Sequence, residues 1–579
     1  MSKVLVRETA SYLILTGPWE HLKSLREAYK IQPPDYWRSP RYQLYKQTEG
    51  ERGWDGYLYP FEVLSKTAGR IMRGHLEDLK EKSAGLSIEL DLSGVIDRPY
   101  AGMVADDIPI DIVEDPNPPY PHQTQGVLMW MRHGIGINEI TVSGGKTRTF
   151  CMAAAVVKRR NPKCRTLYLC STERLVSQAY KDARKFLPSW NITQYGGGKK
   201  DKEGTDMVVA TYAMVGKNFS ELQQFWLKTF MVLAVDECHH ASSPTLEQII
   251  LAVPAFFKLG ASDSAKEDDP IRGFKIRGLL GPVLSEMEAG PLIQQQKLAK
   301  PIVYIVDDPT WQSRFDDLKQ QADPDTPAWT YLNGDWKKAT YLGPAVERLK
   351  SGEPRLTKSG EEIQALNLHR LRLESGLELD VESRWCLLHR YYDRGIIRFK
   401  PRNELIANWA EYFSKQKKKT LVIATRTLHV LILQLLIEAK VGKDLVRILF
   451  SEHNTKERDD TFDWFKKTPG AVLITPLVKE GVSINEINAG IIADYVGSVD
   501  VAKQLIGRFI RKKPEGEINS AEIVWFMDRQ VPTYRRGCMN LFRDLQRIRG
   551  YEFYHPVIEP GSQDMALKYD VIQSSEHLA

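Results

Sequence analysis

Gly144-Gly145-Lys146-Thr147 follows a β-prone run at 140–142 and precedes a helix-forming stretch at 150–158. Glycines let backbone N–H groups approach an anion, and a helix starting there aims its N-terminus at it. In such a loop Ser143, Gly144 and Gly145 wrap the phosphates of a nucleotide. Lys146 then reaches the β- and γ-phosphates, and Thr147 ligates Mg2+. The pattern is incomplete, because Ile140 stands where such loops usually open with Gly and Ser143 where many carry another. Taken alone, the tetrapeptide reads equally well as an ordinary turn.

The run Met231-Val-Leu-Ala-Val-Asp-Glu-Cys-His-His240 is an apolar strand ending in two carboxylates, at the sheet edge where α/β proteins place their ligands. Asp236 is expected to hold Mg2+ through water, and Glu237 to orient and deprotonate the attacking water. Hydroxyls in Ser262-Asp263-Ser264 could couple that site to a cleft between domains. Gln123, ahead of the glycines, has an amide suited to an adenine edge. Later comes Gln504-Leu-Ile-Gly-Arg-Phe-Ile-Arg511. On a helix, positions i, i+4 and i+7 share a face, so Gln504, Arg508 and Arg511 are expected to point together toward a γ-phosphate across a cleft. Arginines in that role contribute about 10³ to 10⁵ in rate. The competing reading is a basic, solvated helix.

Taken together, Gln123, Gly145-Lys146-Thr147, Asp236-Glu237-Cys238-His239 and Ser262-Asp263-Ser264 resemble the nucleotide motifs of superfamily 2 helicases of the DEAH/DECH type. Residues 420–425, 472–483 and 504–511 resemble the motifs of the second half, and the resemblance adds Gly481 to the cofactor-binding set. Residues 38–59, 195–200, 236–241 and 504–512 are similar to the UvsW-type recombination helicases of T-even-like phages. The resemblance implies an α/β fold with two RecA-like parallel-sheet domains in tandem, preceded by a small α+β domain. It also implies ATP and Mg2+ as cofactors and 3′ to 5′ movement on branched DNA: forks, D-loops, R-loops and Holliday junctions. An RNA helicase, the motor of a restriction system and a non-hydrolysing nucleic-acid scaffold are the rivals.

The expected divisions are 1–103, an N-terminal DNA-binding domain; 104–119, an Asp- and Pro-rich linker; and 120–306, the first helicase domain. A helical insertion at 307–400, with a Leu-rich helix over 363–377, leads to the second helicase domain at 401–530. A basic helix and a loose tail, 531–579, close the chain. Basic residues interleaved with Tyr, then Trp54-Asp55-Gly56, suggest a hairpin offering Arg38, Arg41 and Trp54 to DNA, or a solvated hairpin with Trp54 in a minor core. Further nucleic-acid candidates are Thr172 and Arg174 at a helix start, where a plain N-cap is the alternative. Lys199, Thr211, Thr425, Arg543 and Arg547 complete that set, the last two on a basic helix face that solvation also explains.

With 579 residues the chain has length for about three or four domains. Hydrophobic residues make up 42% and charged ones 27%, with a mean hydropathy of -0.37, as in globular proteins. The longest apolar run, 430–437, is too short to span a bilayer, and no leader-like segment opens the chain. An intracellular location, in a phage-infected bacterium on the family resemblance, is the expectation, with no membrane partner. Six scattered cysteines lack zinc spacing. A net charge of +6 allows a polyanionic partner without requiring one. DNA is the expected partner, with single-strand-binding or recombination proteins as further ones.

Overall fold

The computed structural model describes residues 3–34, 36–48, 50–108, 119–141, 144–263, 269–306, 327–332, 335–346, 364–376, 378–382, 392–450, 452–476, 486–496, 499–513, 518–528, 532–546, 551–557 and 568–571. The chain divides into two compact units, Met1–Ala289 and Gly290–Ala579.

The first unit opens with a five-stranded sheet. Glu62–Ser65, Ala68–Met72, Tyr12–Thr16 and Val4–Glu8 run antiparallel, and Leu90–Gly94 joins Val4–Glu8 in parallel. Alternate residues of Val4–Glu8 are buried, the period of a strand with one face on a core. That core takes in Phe274 from the following domain. The Phe274 ring stacks on His75 with centroids 3.8 Å apart. Buried Glu8 is neutralised by Arg73 Nε at 2.6 Å and by Arg98, while Arg73 Nη1 donates to the Phe256 carbonyl at 2.6 Å. The small domain is thus bonded directly to its neighbour. Met103 and Ile108 lie in the same cluster as Trp130 and Met131, so the expected linker is anchored to the core at Ile108, while 104–107 between them are exposed.

The second sheet of this unit has eight strands in the order Val283–Met287, Ile135–Ile140, Phe257–Ser262, Val232–Asp236, Thr166–Cys170, Met207–Thr211, Ile192–Gly196 and Lys199–Lys200. All pairs are parallel except the last. Its middle strands are buried throughout because helices cover both faces, giving two hydrophobic clusters, one on each side.

In the second unit the order is Val446–Ile448, Val472–Thr475, Thr420–Ile423, Ala489–Ile492, Ser520–Phe526, Lys300–Val306, Glu552–Val557 and Lys568–Val571, parallel but for the final pair. Two expectations change here. Lys300–Val306, placed by sequence order at the end of the first domain, pairs inside this sheet; the apolar run after Lys300 carries no mark of which sheet it joins. The tail expected to be loose contributes Lys568–Val571.

The insertion holds a four-stranded antiparallel sheet, Pro327–Leu332, Asp335–Val346, Gln364–Leu373 and Glu378–Glu382, in place of the expected helix. Leucine favours helices, but Leu371 and Leu373 are buried while Arg372 between them is exposed, a period of two. Near the N-terminus the difference runs the other way. Pro40–Gln47 is a helix, not the expected hairpin strand, and Ser39-Pro40 starts it, with Pro at the first turn.

Gly74 marks how tightly the small domain is docked, since a Cβ there would lie 1.9 Å from the Arg277 carbonyl oxygen and 2.8 Å from that of Gly278. Backbone cannot yield as a side chain does. Gly74→Ala is expected to cost about 1–3 kcal/mol, the range for overpacking. Denaturant unfolding reads this directly, and a variant as stable as the parent would contradict the docking.

Candidate functional site

Strand Ile135–Ile140 delivers the chain to a loop closed by helix Lys146–Arg160. Gly145, the N-cap, has φ +86, and a Cβ on it would sit 2.1 Å from Gln123 Nε2. Only glycine meets both conditions without strain. Gln123 is 1% exposed, and its amide is committed to the loop. Its Nε2 donates to the carbonyls of Gly144 at 3.3 Å and Gly145 at 3.5 Å, and its Oε1 accepts from Tyr120 N. Here the residue expected to face an adenine braces the glycines. His122, which sequence reasoning missed, adds a contact from Nε2 to the Gly144 carbonyl at 2.8 Å. Ser143, Ser264 and Gly481 lie outside the described residues.

Lys146 Nζ stands 3.3 Å from Glu237 Oε1. Burial opposes the lysine's charge, yet the carboxylates of Glu237, Asp263 and Asp236 outweigh it and hold the pKa above the ordinary lysine value. For Asp236 burial dominates, and with Glu237 beside it the carboxyl is pushed up to about 7. Glu237 is also raised by burial, but Lys146 and His239 overcome this and hold it below the usual carboxylate range. The adjacent acids are thereby driven apart, with Glu237 favoured in its charged form.

The backbone contributes as well. Glu237 has φ +49 and ψ +52, a left-handed conformation costing about 1–2 kcal/mol for a non-glycine residue. Its N–H donates to Asp236 Oδ1 at 3.0 Å. His239 Nδ1 lies 2.8 Å from Ser262 Oγ and 3.5 Å from Glu237 Oε2, tying the carboxylate turn to the neighbouring strand's end. Ligand atoms of Glu237, His239 and Asp263 all fall within 4.8 Å of one another. Cys238 is buried, which pushes its thiol up and leaves it a neutral packing group.

Thr147 and Asp236, the expected Mg2+ ligands, meet through a residue not foreseen. The Tyr168 hydroxyl is 3.3 Å from Thr147 Oγ1 and 3.5 Å from Asp236 Oδ2. An all-oxygen set of a hydroxyl and a carboxylate suits the hard Mg2+ ion, so these residues fit it.

In the second unit, helix Val499–Phe509 carries Gln504 and Arg508, and the Phe509 ring packs where a Cβ on Gly490 would be 2.4 Å away. Arg511 lies beyond the helix end, in a bridge with Leu298. The single helical face expected for Gln504, Arg508 and Arg511 therefore ends at Arg508.

The nucleic-acid candidates divide. Thr172 and Thr211 are N-caps, accepting from Leu175 N at 3.3 Å and Met214 N at 3.1 Å, and Arg174 is on the helix that Thr172 caps. Lys199 is exposed on a short edge strand. Trp54 is half-buried, its Nε1–H bonded to the Tyr57 carbonyl at 2.6 Å, while Arg41 is exposed on helix Pro40–Gln47. Arg38 begins no strand but ends the turn Tyr36–Arg38. Thr425 is exposed, and its N–H is held by buried Asp494, which also contacts His429 at 2.8 Å. Burial would raise Asp494, but these bonds outweigh it and hold the carboxyl at about 2. Arg543 is exposed on helix Pro532–Gln546, and Arg547 falls outside the described residues.

Residues 118–262 match the family described as type III restriction enzyme, res subunit, and residues 403–513 match the helicase conserved C-terminal domain. No curated protein sequence matches the chain. Among solved structures, UvsW of bacteriophage T4 is similar at 15% identity and a TM-score of 0.39, covering 95% of this chain and 99% of that one. The DUF1998 helicase MrfA bound to DNA is similar at 13% identity and a TM-score of 0.45, over 75% of this chain and 49% of that one. The Type ISP restriction-modification enzyme LlaBIII bound to DNA gives 13% and 0.47, over 75% and 30%. Among the described residues, no helix is long and apolar enough to cross a membrane.

Gly145→Ala tests whether the loop's shape is what matters. The added methyl must displace Gln123 from its carbonyls and adopt a left-handed backbone costing about 1–2 kcal/mol. Binding of a fluorescent ATP analogue is expected to weaken at least tenfold; unchanged affinity would show the loop is not the anion site.

Proposed function

We propose that the chain is an ATP-hydrolysing superfamily 2 motor, a DNA helicase or translocase acting on branched DNA in recombination, repair or replication, a reading supported by the two family matches at 118–262 and 403–513. The observation that carries the enzymatic part is Lys146 gathered with Glu237 and Asp236 at the end of a glycine-opened helix. On this reading the backbone N–H groups of the loop and Lys146 bind the β- and γ-phosphates. Thr147 and Asp236 hold Mg2+, which when bound offsets phosphate charge as the terminal phosphoryl group transfers. Glu237, kept ionised, orients the attacking water and accepts its proton. Arg508 and Arg511 supply positive charge to the γ-phosphate in the ATP-bound state. A triphosphate that binds one arrangement of the two helicase domains better than the other biases their equilibrium, and hydrolysis removes that bias.

Support for branched DNA comes from the small α+β domain ahead of the first helicase domain and from the UvsW-type resemblance of the motifs. Trp54, Arg41, Lys199, Thr425 and Arg543 are the proposed DNA contacts. The restriction-motor reading draws on the family matched by residues 118–262. It requires partner subunits, which co-purification would reveal.

Glu237→Gln keeps the side chain's size and removes its charge. DNA-stimulated ATP turnover is expected to fall by at least 10², the lower range for losing a general base, with nucleotide binding preserved. Turnover equal to the parent's would remove Glu237 from the chemistry. Across single-stranded, duplex, forked and four-way DNA and matching RNA, the proposal expects the greatest stimulation from forked or four-way DNA. A preference for RNA would transfer the reading to an RNA helicase.

A further inference from the structure

Strand Thr166–Cys170 reads Thr-Leu-Tyr-Leu-Cys, and all five residues are buried. A phenol in the middle of such a strand needs a polar partner, because an unbonded hydroxyl in an apolar interior is costly. Tyr168 is 0% exposed, and its ring packs beside Phe150 with centroids 5.1 Å apart. Its hydroxyl does not point into that packing alone. It reaches Thr147 Oγ1 on one side and Asp236 Oδ2 on the other.

We propose that Tyr168 is a positioning residue that aligns the Thr147 hydroxyl and the Asp236 carboxylate as a Mg2+-binding pair. This rests on the reading of Lys146 and its neighbours as an ATP site. The chemistry concerns where a proton points. A threonine hydroxyl can ligate a cation only through a lone pair, so its hydrogen must be directed elsewhere. Tyr168 provides the acceptor: Thr147 donates to the phenol oxygen, and the phenol donates to Asp236 Oδ2. Asp236 Oδ1 meanwhile accepts from Glu237 N. Each oxygen of Asp236 is then fixed by one donor and keeps a lone pair for a water held on the ion. Hydrogen bonds of 3.3 and 3.5 Å are long, as catalytic contacts in ligand-free sites often are. The three groups come from the helix Lys146–Arg160 and two adjacent parallel strands, Thr166–Cys170 and Val232–Asp236, so their register is set by the sheet.

Tyr168→Phe removes the hydroxyl and nothing else. The test titrates Mg2+ against the full chain with a fluorescent ATP analogue, and records thermal unfolding without ligand. The midpoint for Mg2+ is expected to rise about tenfold, the size for losing one hydrogen bond that serves a charged group, while Mg2+-free nucleotide binding stays as in the parent. An unchanged Mg2+ midpoint in the folded variant would overturn the role of Tyr168 and leave the ATP site standing. Failure of the parent chain to bind the analogue would instead overturn the ATP site and the proposal together. Combination with Asp236→Asn closes the remaining route. If Tyr168 acts through that carboxylate, the phenylalanine adds little in the asparagine background, whereas fully additive losses would contradict it.

Discussion

One positive charge, on Lys146, is held partly buried among the carboxylates of Glu237, Asp236 and Asp263, and the site is arranged around that balance. Desolvating an ammonium is expensive unless opposite charge compensates it. Its neighbours are set in turn: Glu237 stays ionised because Lys146 is near, and Asp236 is raised by burial first and by the charge of Glu237 second. On the proposed reading, a polyphosphate entering this cluster competes with Glu237 for Lys146. Nucleotide binding would then loosen the contact that occupies the proposed base, linking the arrival of substrate to the freeing of a carboxylate for water.

Such a cluster needs a rigid frame, and the frame is the parallel sheet. Loop, carboxylate turn and Ser262 all stand at the same ends of adjacent strands, whose burial on both faces leaves them little freedom. That edge also carries left-handed backbone, at Gly145 and at Glu237. The strand Phe257–Ser262 also starts beside the small domain. Arg73 bonds to Phe256, and buried Lys258 donates to Ser11 Oγ at 3.1 Å and the Ile250 carbonyl at 2.7 Å. Burial pushes that lysine down to about 7. One strand therefore runs from the small domain's dock to the residue that meets His239.

Much of this was legible from residue order. The strand-loop-helix around Lys146 and the strand before Asp236 carry local signals, glycines and apolar runs, that survive without knowledge of the fold. What stayed hidden depends on long-range pairing. Tyr168 gave one clue, a hydroxyl in an otherwise apolar buried run, but nothing in the sequence names Thr147 and Asp236 as its partners. Gln123 was placed near the loop correctly in sequence, yet its amide is used by the glycine carbonyls. Lys300–Val306 crossed to the other sheet because apolar strands are interchangeable by composition. Leu371 and Leu373 misled because leucine's helical preference masked a two-residue period, and Arg511 because an ideal helix was extended past Phe509.

The most direct test of the account asks whether Lys146 holds a nucleotide at all. Isothermal calorimetry with a non-hydrolysable ATP analogue and Mg2+ should give one bound nucleotide per chain. Replacing Lys146 by alanine removes a charge-assisted contact worth about 1.5–3 kcal/mol, and so should weaken binding at least tenfold. Equal affinity in the two proteins would contradict it.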